Sequence, residues 1–263
     1  MRTLFLAWQN PKTRHWYPVA RLTHDGSWYT FVYTKGAEAC PDFYPFGRMT
    51  DLGAVYRSED LFPLFANRLL PKTRPEYRDY LRWLNLEDKQ NDAIATLSRS
   101  GGLRGTDSLE VFPQPVLSET GRYELVFLSH GLRHLPEYSI ERCSQLARGE
   151  RLYLMFDTQN DNDNRALIVR TESPITIVGF CPRYLTKDFA LLLEQNNANE
   201  VEVKVERVNP DAPLQLRLLC RFSAPWPTDF KAFADELFAP IPDQFVIDNV
   251  ARESRLRKVE LRA

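Results

Sequence analysis

The stretch RLYLMFDTQNDNDNRALIVR, residues 151–170, decides the fold of the second half of the chain. Residues 151–156 and 166–170 are rich in aliphatic, aromatic and β-branched side chains, which favour strands. Between these runs, residues 157–164 are all polar, and Asn and Asp tolerate the left-handed backbone that tight turns require. The pattern predicts two antiparallel strands joined by a polar turn.

Further strand-like runs lie on both sides of this hairpin. They cover residues 123–129 before it and residues 176–180, 200–207 and 215–222 after it. Two helices are expected among them, over 187–195 with Thr186 as N-cap and over 229–237 with Thr228 as N-cap. Many short, evenly spaced strands predict a small β-barrel or sandwich.

The first third of the chain combines strands and helices. Strands are expected at 3–9, 17–23 and 27–33, and Asp25-Gly26 between the last two is a strong hairpin signal. Helices are expected over 59–70, from 75 through 84, and over 87–99, followed by a short strand at 109–112. The predicted class is α+β, with a small N-terminal sheet plus helices (1–100), a connection (101–122), a small β-barrel with one or two helices (123–240) and a C-terminal arm (241–263).

Charge and hydropathy exclude several function classes. Residues 1–120 hold 15 basic and 14 acidic side chains, and residues 121–263 hold 19 and 21, so neither half is basic. A protein that follows a long phosphate backbone carries a net positive face, so a nucleic-acid contact here is expected to be short and local. Because no apolar run approaches the ~20 residues of a membrane span, we expect a cytoplasmic protein with no membrane partner.

The cysteines and histidines do not indicate a metal site. Cys40, Cys143, Cys181 and Cys220 lie far apart in sequence, which excludes a CxxC zinc or redox pair and predicts buried thiols. His130 and His134 have the spacing of two zinc ligands on a helix, but the residues before them are strand-like and no third ligand is near. We expect His130 to be a structural histidine at a strand end.

The polar turn at 157–164 has some of the residue types of a metal-binding loop. A calcium loop starting at Asp157 would need glycine and a bidentate acid where Asn162 and Ile168 stand. Magnesium held by Asp161 and Asp163 would favour a nuclease, but Asp and Asn are far more common in turns than in metal sites. Since GxSxG, P-loop, GxGxxG and kinase signatures are also missing, we expect a non-enzymatic protein without metal or cofactor.

Three segments of the second half, taken in order, resemble the motifs of the HIRAN domain family. They are HGLRHLP (130–136), NDNDNRALIV (160–169) and VGFCPRYL (178–185), and the resemblance spans about residues 124–225. It implies a small barrel similar to an OB-fold. It also implies binding of single-stranded DNA at a free 3′-hydroxyl end, as in the family member found in a helicase-like transcription factor.

The resemblance further implies which residues bind. The family's end-binding acid falls on Asp163, its arginine on Arg133, the neighbouring aromatic on His134 and a later cation on Arg183. An ionised carboxylate accepts a hydrogen bond from a 3′-hydroxyl and repels a 3′-phosphate, while arginines hold the adjacent phosphates through forked bonds. The predicted nucleic-acid site comprises Arg133, His134, Asn160, Asp163, Phe180 and Arg183.

The chain departs from the family pattern beside the acid. Asp161 and Asn162 stand where the family has a proline and an aromatic residue, which removes a stacking ring and adds a negative charge. His134 replaces an aromatic residue that stacks more strongly. Phe180 is the candidate substitute platform for stacking on a base.

The segment DLFPLFANRLLPKTRPEYRDYLRWL, residues 60–84, resembles the N-terminal subdomain that precedes the kinase in HipA-type toxins. The resemblance covers about residues 1–95, and no kinase phosphate-binding residues follow it. It implies an alternative function as an interaction or antitoxin-like subunit of a toxin–antitoxin or defence system, with a kinase-like or helix-turn-helix partner encoded nearby. Asn67, Arg68 and Arg74 are the candidate partner-binding residues, and helix-end capping or loop anchoring is their structural alternative.

Overall fold

The computed structural model describes residues 2–86, 92–160 and 165–241, together with the backbone of Val246 and Ile247. Within this part, the strands in chain order are β1 (Arg2–Gln9), β2 (Trp16–His24), β3 (Tyr29–Tyr33), β4 (Val55–Ser58), β5 (Leu109–Pro113), β6 (Arg122–Leu128), β7 (Arg151–Phe156), β8 (Leu167–Arg170), β9 (Ile177–Phe180), β10 (Glu202–Val208), β11 (Leu218–Pro225) and β12 (Val246–Ile247). The helices are α1 (Lys35–Ala39), α2 (Pro63–Ala66), α3 (Tyr77–Trp83), α4 (Ala93–Ser100), α5 (Glu137–Ser144) and α6 (Thr186–Gln195). Among the described helices, none has the length and apolar character needed to cross a membrane. The predicted α+β class is confirmed.

The chain folds into two compact units, each built from separate stretches of sequence. The described residues of the first unit are 2–71, 92–114 and 233–241. Those of the second are 72–86, 115–160 and 165–232. The predicted C-terminal arm beyond residue 241 lies outside the described residues, apart from the backbone of β12.

The first unit is a six-stranded sheet in the order β12-β4-β3-β2-β1-β5. The hairpin predicted at Asp25-Gly26 is confirmed, because β2 and β3 pair antiparallel from Ala20↔Tyr33 to His24↔Tyr29. The Asp25 carboxylate accepts hydrogen bonds from the backbone N–H groups of Ser27 and Trp28 at 2.9 and 2.8 Å. The predicted strand at 109–112 is β5, and it forms the edge of this sheet beside β1.

The helix predicted over 59–70 is wrong in extent, because only α2 forms there. Pro63 would have stood inside the predicted helix, where its missing N–H and its ring disrupt the backbone ladder. It instead occupies the first turn of α2, which proline tolerates. The short turn buries Phe62 and Phe65 completely against Phe31, with ring centroids 5.9 and 6.2 Å from that of Phe31.

The helix predicted over 87–99 is found as α4, and residues 87–91 lie outside the described part. Asp92 is its N-cap and accepts a hydrogen bond from the Ala95 N–H at 2.8 Å. Gly101, with φ +71°, ends the helix in the left-handed conformation that favours glycine. The helix predicted from residue 75 is α3, whereas α5 was not predicted from the sequence.

The helix predicted over 229–237 is wrong, since this segment forms only a 3₁₀ turn at Glu236–Phe238. Phe233 has φ +54°, which no α-helix accommodates. Phe233 packs edge-on against Phe5 and Phe112 in the first unit. Phe230 packs against Tyr123 in the second. Aromatic burial therefore overrides the helical pattern here.

The second unit is a curled antiparallel sheet in the order β6-β11-β10-β7-β8-β9. The strands predicted on both sides of the polar turn are confirmed as β7 and β8, paired from Tyr153↔Arg170 to Phe156↔Leu167. Phe189 of α6 stacks on Phe222 of β11 at 3.9 Å between centroids and fills the centre of the core. A single bridge, His130↔Phe180, joins the chain after β6 to β9 and brings the two edges of the sheet together.

Candidate nucleic-acid interface

The candidate site begins at the bridge between residues 130 and 180. The backbone N–H of His130 donates to the Phe180 carbonyl at 2.9 Å, and the N–H of Phe180 donates to the His130 carbonyl at 3.0 Å. The buried Ser129 hydroxyl donates to the Val178 carbonyl at 3.0 Å. Three hydrogen bonds thus hold the segment after β6 against β9, and two of the predicted binding motifs become neighbours.

Two glycines allow this close approach. A Cβ on Gly179 would lie 1.8 Å from the Ser129 Oγ, and a Cβ on Gly131 would lie 2.8 Å from Cδ2 of the Phe180 ring. Both residues also have positive φ, +132° and +75°, which side-chain-bearing residues rarely adopt. The Phe180 ring therefore lies directly against the backbone of residue 131.

A 3₁₀ turn at Leu132–His134 presents the next two predicted residues to solvent. Leu132 is buried, whereas Arg133 and His134 are exposed. The Arg133 Nε–H donates to Nε2 of His134 at 2.9 Å. The Nε2 lone pair accepts this bond, and the guanidinium lies beside the ring.

The second motif follows β9 directly. Phe180 is partly exposed, Cys181 and Pro182 are buried, and Arg183 opens a 3₁₀ turn at Arg183–Leu185 with its side chain partly exposed. The Arg183 carbonyl accepts a hydrogen bond from the Thr186 hydroxyl at 2.9 Å, which fixes the step into α6. The two segments that follow the bridge residues thus carry two arginines and an imidazole, and the bridge residue Phe180 adds a phenyl ring.

The third motif starts in the turn after β7. The Asn160 amide donates to the Asp157 carboxylate at 3.1 Å, and the Asp157 N–H donates to the Ala166 carbonyl at 2.9 Å. Asp163, with Asp161 and Asn162, lies outside the described residues.

The cysteines and His130 lie where they support the fold. All four cysteines are buried and free, and burial raises the pKa of Cys143 to about 11, which keeps that thiol protonated at neutral pH. Among the described residues, no group of three or more His, Cys, Asp or Glu side chains is placed to hold a metal ion. His130 lies at the end of a strand, as expected from its sequence context.

The candidate partner-binding residues Asn67, Arg68 and Arg74 differ from one another in exposure. Arg68 is buried, and its guanidinium donates to both oxygens of Asp107 at 3.1 and 2.7 Å and to the Gly102 carbonyl at 2.9 Å. This placement agrees with the loop-anchoring alternative. Asn67 caps the end of α2 and is exposed, as is Arg74, which belongs to the second unit.

Strand β7 carries surface side chains for which the sequence predicted no role. On β7, Met155 and Phe156 are 43% and 44% exposed, and Tyr153 lies beneath the guanidinium of Arg170. The alternation of β7 indicates which side chains share a face. The contact with Arg170 depends on the pairing with β8, which the sequence pattern does not specify.

The comparisons with known proteins concern residues within the second unit. The family model described as the HIRAN domain matches residues 123–227. A crystal structure of a Lactobacillus plantarum protein shares 17% identity with a TM-score of 0.29, covering 40% of this chain and 99% of that one. The HIRAN domain of human HLTF shares 18% identity with a TM-score of 0.29, covering 41% of this chain and 83% of that one. No curated protein matches the chain. Residues 123–227 are thus a HIRAN domain.

Proposed function

We propose that the protein is a non-enzymatic binding protein whose HIRAN domain captures single-stranded DNA at a free 3′-hydroxyl end. The HIRAN family binds nucleic acid, which supports the class of ligand. The observation that carries the proposal is the exposed Arg133–His134 pair, held beside Phe180 by the bridge that closes the sheet. Cations and a flat ring next to each other are what an unpaired strand requires.

In this proposal the arginines bind phosphates, and Phe180 and His134 stack against bases. Arg133 and Arg183 carry guanidiniums whose fork of N–H donors matches phosphate oxygens. Phe180 offers a ring against which a base can stack without sequence preference, and its contact with Gly131 restricts its orientation. Held by a hydrogen bond from Arg133, His134 adds a second flat surface. Such a site positions an end and reads no base sequence.

The choice of end rests on the family resemblance. It assigns Asp163 as the acceptor of a hydrogen bond from the 3′-hydroxyl. An ionised carboxylate repels a terminal phosphate, so one residue would supply both attraction and exclusion. In this chain Asp161 adds a second negative charge nearby in sequence, which strengthens the expected exclusion of 3′-phosphate.

Contacts with phosphates should contribute only a small part of the binding free energy at this site. For a strand short enough to reach only this site, two phosphate contacts, one for each arginine, imply that log K falls with log salt with a slope of about −1.4. A slope of this size agrees with the chain's net charge of −1. A protein that covers a long stretch of backbone would have a much steeper slope.

The proposal is tested by comparing a linear and a circular single strand of identical sequence and length. Because the circle has no end, we expect the full-length chain to bind the linear strand at least tenfold more tightly. Fluorescence anisotropy competition at two salt concentrations gives both the ratio and the salt slope. Equal affinity for the two strands would contradict end capture.

The alternative from the N-terminal segment stays a prediction. The family match lies outside residues 1–100, so the HipA resemblance and a kinase-like or helix-turn-helix partner rest on the sequence of residues 60–84 alone. The internal ion pair of Arg68 with Asp107 does not favour a partner-binding role for that residue.

A further inference from the structure

The outer face of β7 and β8 carries a cluster of side chains that the end-capture site does not use. Residues paired directly across antiparallel strands share a face, and alternate residues along one strand do as well. Arg151, Tyr153 and Met155 therefore lie on the same face as Ile168 and Arg170. The opposite face, which includes Leu152 and Val169, is buried in the core.

An aromatic ring lies at the centre of this cluster, between two cations. The guanidinium carbon of Arg170 lies 5.0 Å from the Tyr153 ring centroid, and that of Arg151 lies 5.4 Å from it. Both distances are within the range of cation–π attraction, about 6 Å. The pairing keeps two positive charges at a partly exposed ring, whereas an isolated surface arginine would sample many rotamers.

Hydrogen bonds fix the orientation of the cluster. The Tyr153 hydroxyl donates to the Glu172 carboxylate at 2.9 Å, and this bond raises the pKa of Tyr153, so the phenol stays neutral. Arg170 donates to the Thr171 carbonyl at 2.9 Å, and Arg151 donates to the Val201 carbonyl at 3.4 Å. A guanidinium has five N–H donors, so each of these bonds orients its guanidinium and leaves other N–H donors on the same group.

The cluster continues the surface of the end-capture site. Ile168 pairs with Met155 on one side and with Phe180 on the other, so the three side chains form a row across β7, β8 and β9. Tyr153 lies two residues from Met155 along β7, a step of about 7 Å on the same face. Ile168 itself is only 5% exposed, so Met155 and Phe180 are the more exposed members of this row, and a strand lying along it would contact Met155 before it reaches Tyr153.

The charges on this face are mixed. Arg151 and Arg170 lie at the ring, Lys204 on β10 pairs with Arg151, and Arg221 on β11 pairs with Lys204. The acidic groups on the face include Glu172, which accepts the tyrosine hydroxyl, Glu202, which Lys204 contacts at 2.7 Å, and Glu124, which lies 3.9 Å from Arg221. Each of these acids has a donor or a cation beside it, and two guanidiniums meet at the Tyr153 ring. That position suits an anionic ligand that also offers flat surfaces.

We propose that the outer face formed by Arg151, Tyr153, Met155 and Arg170 is a second contact surface for the same single-stranded DNA, on the 5′ side of its captured end. A base stacks on the Tyr153–Arg170 pair, and the two guanidiniums bind the phosphates on either side of it. This inference rests on the proposed function. It adds that affinity grows with strand length beyond the end itself.

The test measures affinity against strand length for the full chain. Wild type is expected to bind a 10-nucleotide 3′-hydroxyl DNA more tightly than a 3-nucleotide one, by roughly fivefold to hundredfold for one stacked base with its phosphates. Tyr153→Ala and Arg170→Gln should remove that gain and leave the 3-nucleotide affinity unchanged. Tyr153→Phe, which keeps the ring and loses only the bond to Glu172, is the matched control and should retain the gain.

The outcomes separate this inference from the proposed function. If wild type binds the short and long strands equally, the outer face is not a contact surface, while end capture stands. A gain with length that survives in both Tyr153→Ala and Arg170→Gln would also overturn the inference. If neither strand binds wild type, both proposals fail. Thermal melting of each variant, with the wild-type midpoint expected, shows that the changes act on binding.

Discussion

Arg133→Ala is expected to weaken binding of a 3′-hydroxyl single strand by about tenfold to hundredfold, the usual effect of removing a charged hydrogen bond. The guanidinium is exposed on the 3₁₀ turn after the bridge, where its Nε–H donates to Nε2 of His134. Losing one phosphate contact should also reduce the salt slope by about 0.7. Anisotropy titrations at several salt concentrations measure both quantities.

Two further variants make this test specific. Arg133→Lys keeps the charge and loses the fork, so it should recover only part of the affinity. Arg148→Ala removes a side chain of the same unit that is 75% exposed and lies 3.7 Å from Glu206, and should leave affinity and slope unchanged. If Arg148→Ala weakens binding as much as Arg133→Ala does, binding depends on overall charge and the assigned site is wrong.

Gly179→Ala is expected to lower the free energy of unfolding of the HIRAN domain by about 3–5 kcal/mol, combining overpacking with backbone strain. The new Cβ would lie 1.8 Å from the Ser129 Oγ and 2.8 Å from the His130 carbonyl oxygen. Both atoms belong to the segment that closes the sheet. The substitution should therefore displace the bridge and abolish binding, as measured by urea denaturation and by titration.

Gly149→Ala is the matched control for this variant. Gly149 also has positive φ, +83°, but no atom lies within 4 Å of the position its Cβ would take. Only the backbone strain remains, about 1–2 kcal/mol. Equal destabilisation by the two variants would show that the contact between residues 129 and 179 is not a tight constraint.

Local sequence signals were sufficient for the strands and turns. The Asp25-Gly26 hairpin, the strands on both sides of the polar turn and the edge strand at 109–112 depend on turn residues and β-rich runs that act over a few positions. The family motifs likewise indicated the domain that the family model matches. These features need no knowledge of distant contacts.

Features set by distant contacts were not predicted. The helix expected over 229–237 is replaced by irregular backbone because Phe233 packs with Phe5 and Phe112, which lie far away in sequence. The helix expected over 59–70 shortens to the turn that buries Phe62 and Phe65. Periodicity describes an amphipathic segment but not the partner that covers it.

The candidate site was predicted only in part. The sequence indicated Arg133, His134, Phe180 and Arg183, and the model places their two segments side by side through the backbone pairing of residues 130 and 180. The contacts of Tyr153 with Arg151 and Arg170 were not predicted, because they depend on strand register. Register between strands is fixed by the whole sheet rather than by any one segment.

The most direct test of the account measures the affinity of wild type and Asp163→Asn for one DNA sequence ending in a 3′-hydroxyl or in a 3′-phosphate. Asparagine keeps the size of the side chain and removes the charge that should attract the hydroxyl and repel the phosphate. We expect wild type to prefer the hydroxyl end by at least tenfold and Asp163→Asn to lose most of that preference. Equal wild-type affinity for the two ends, or an undiminished preference in Asp163→Asn, would contradict end recognition by this carboxylate.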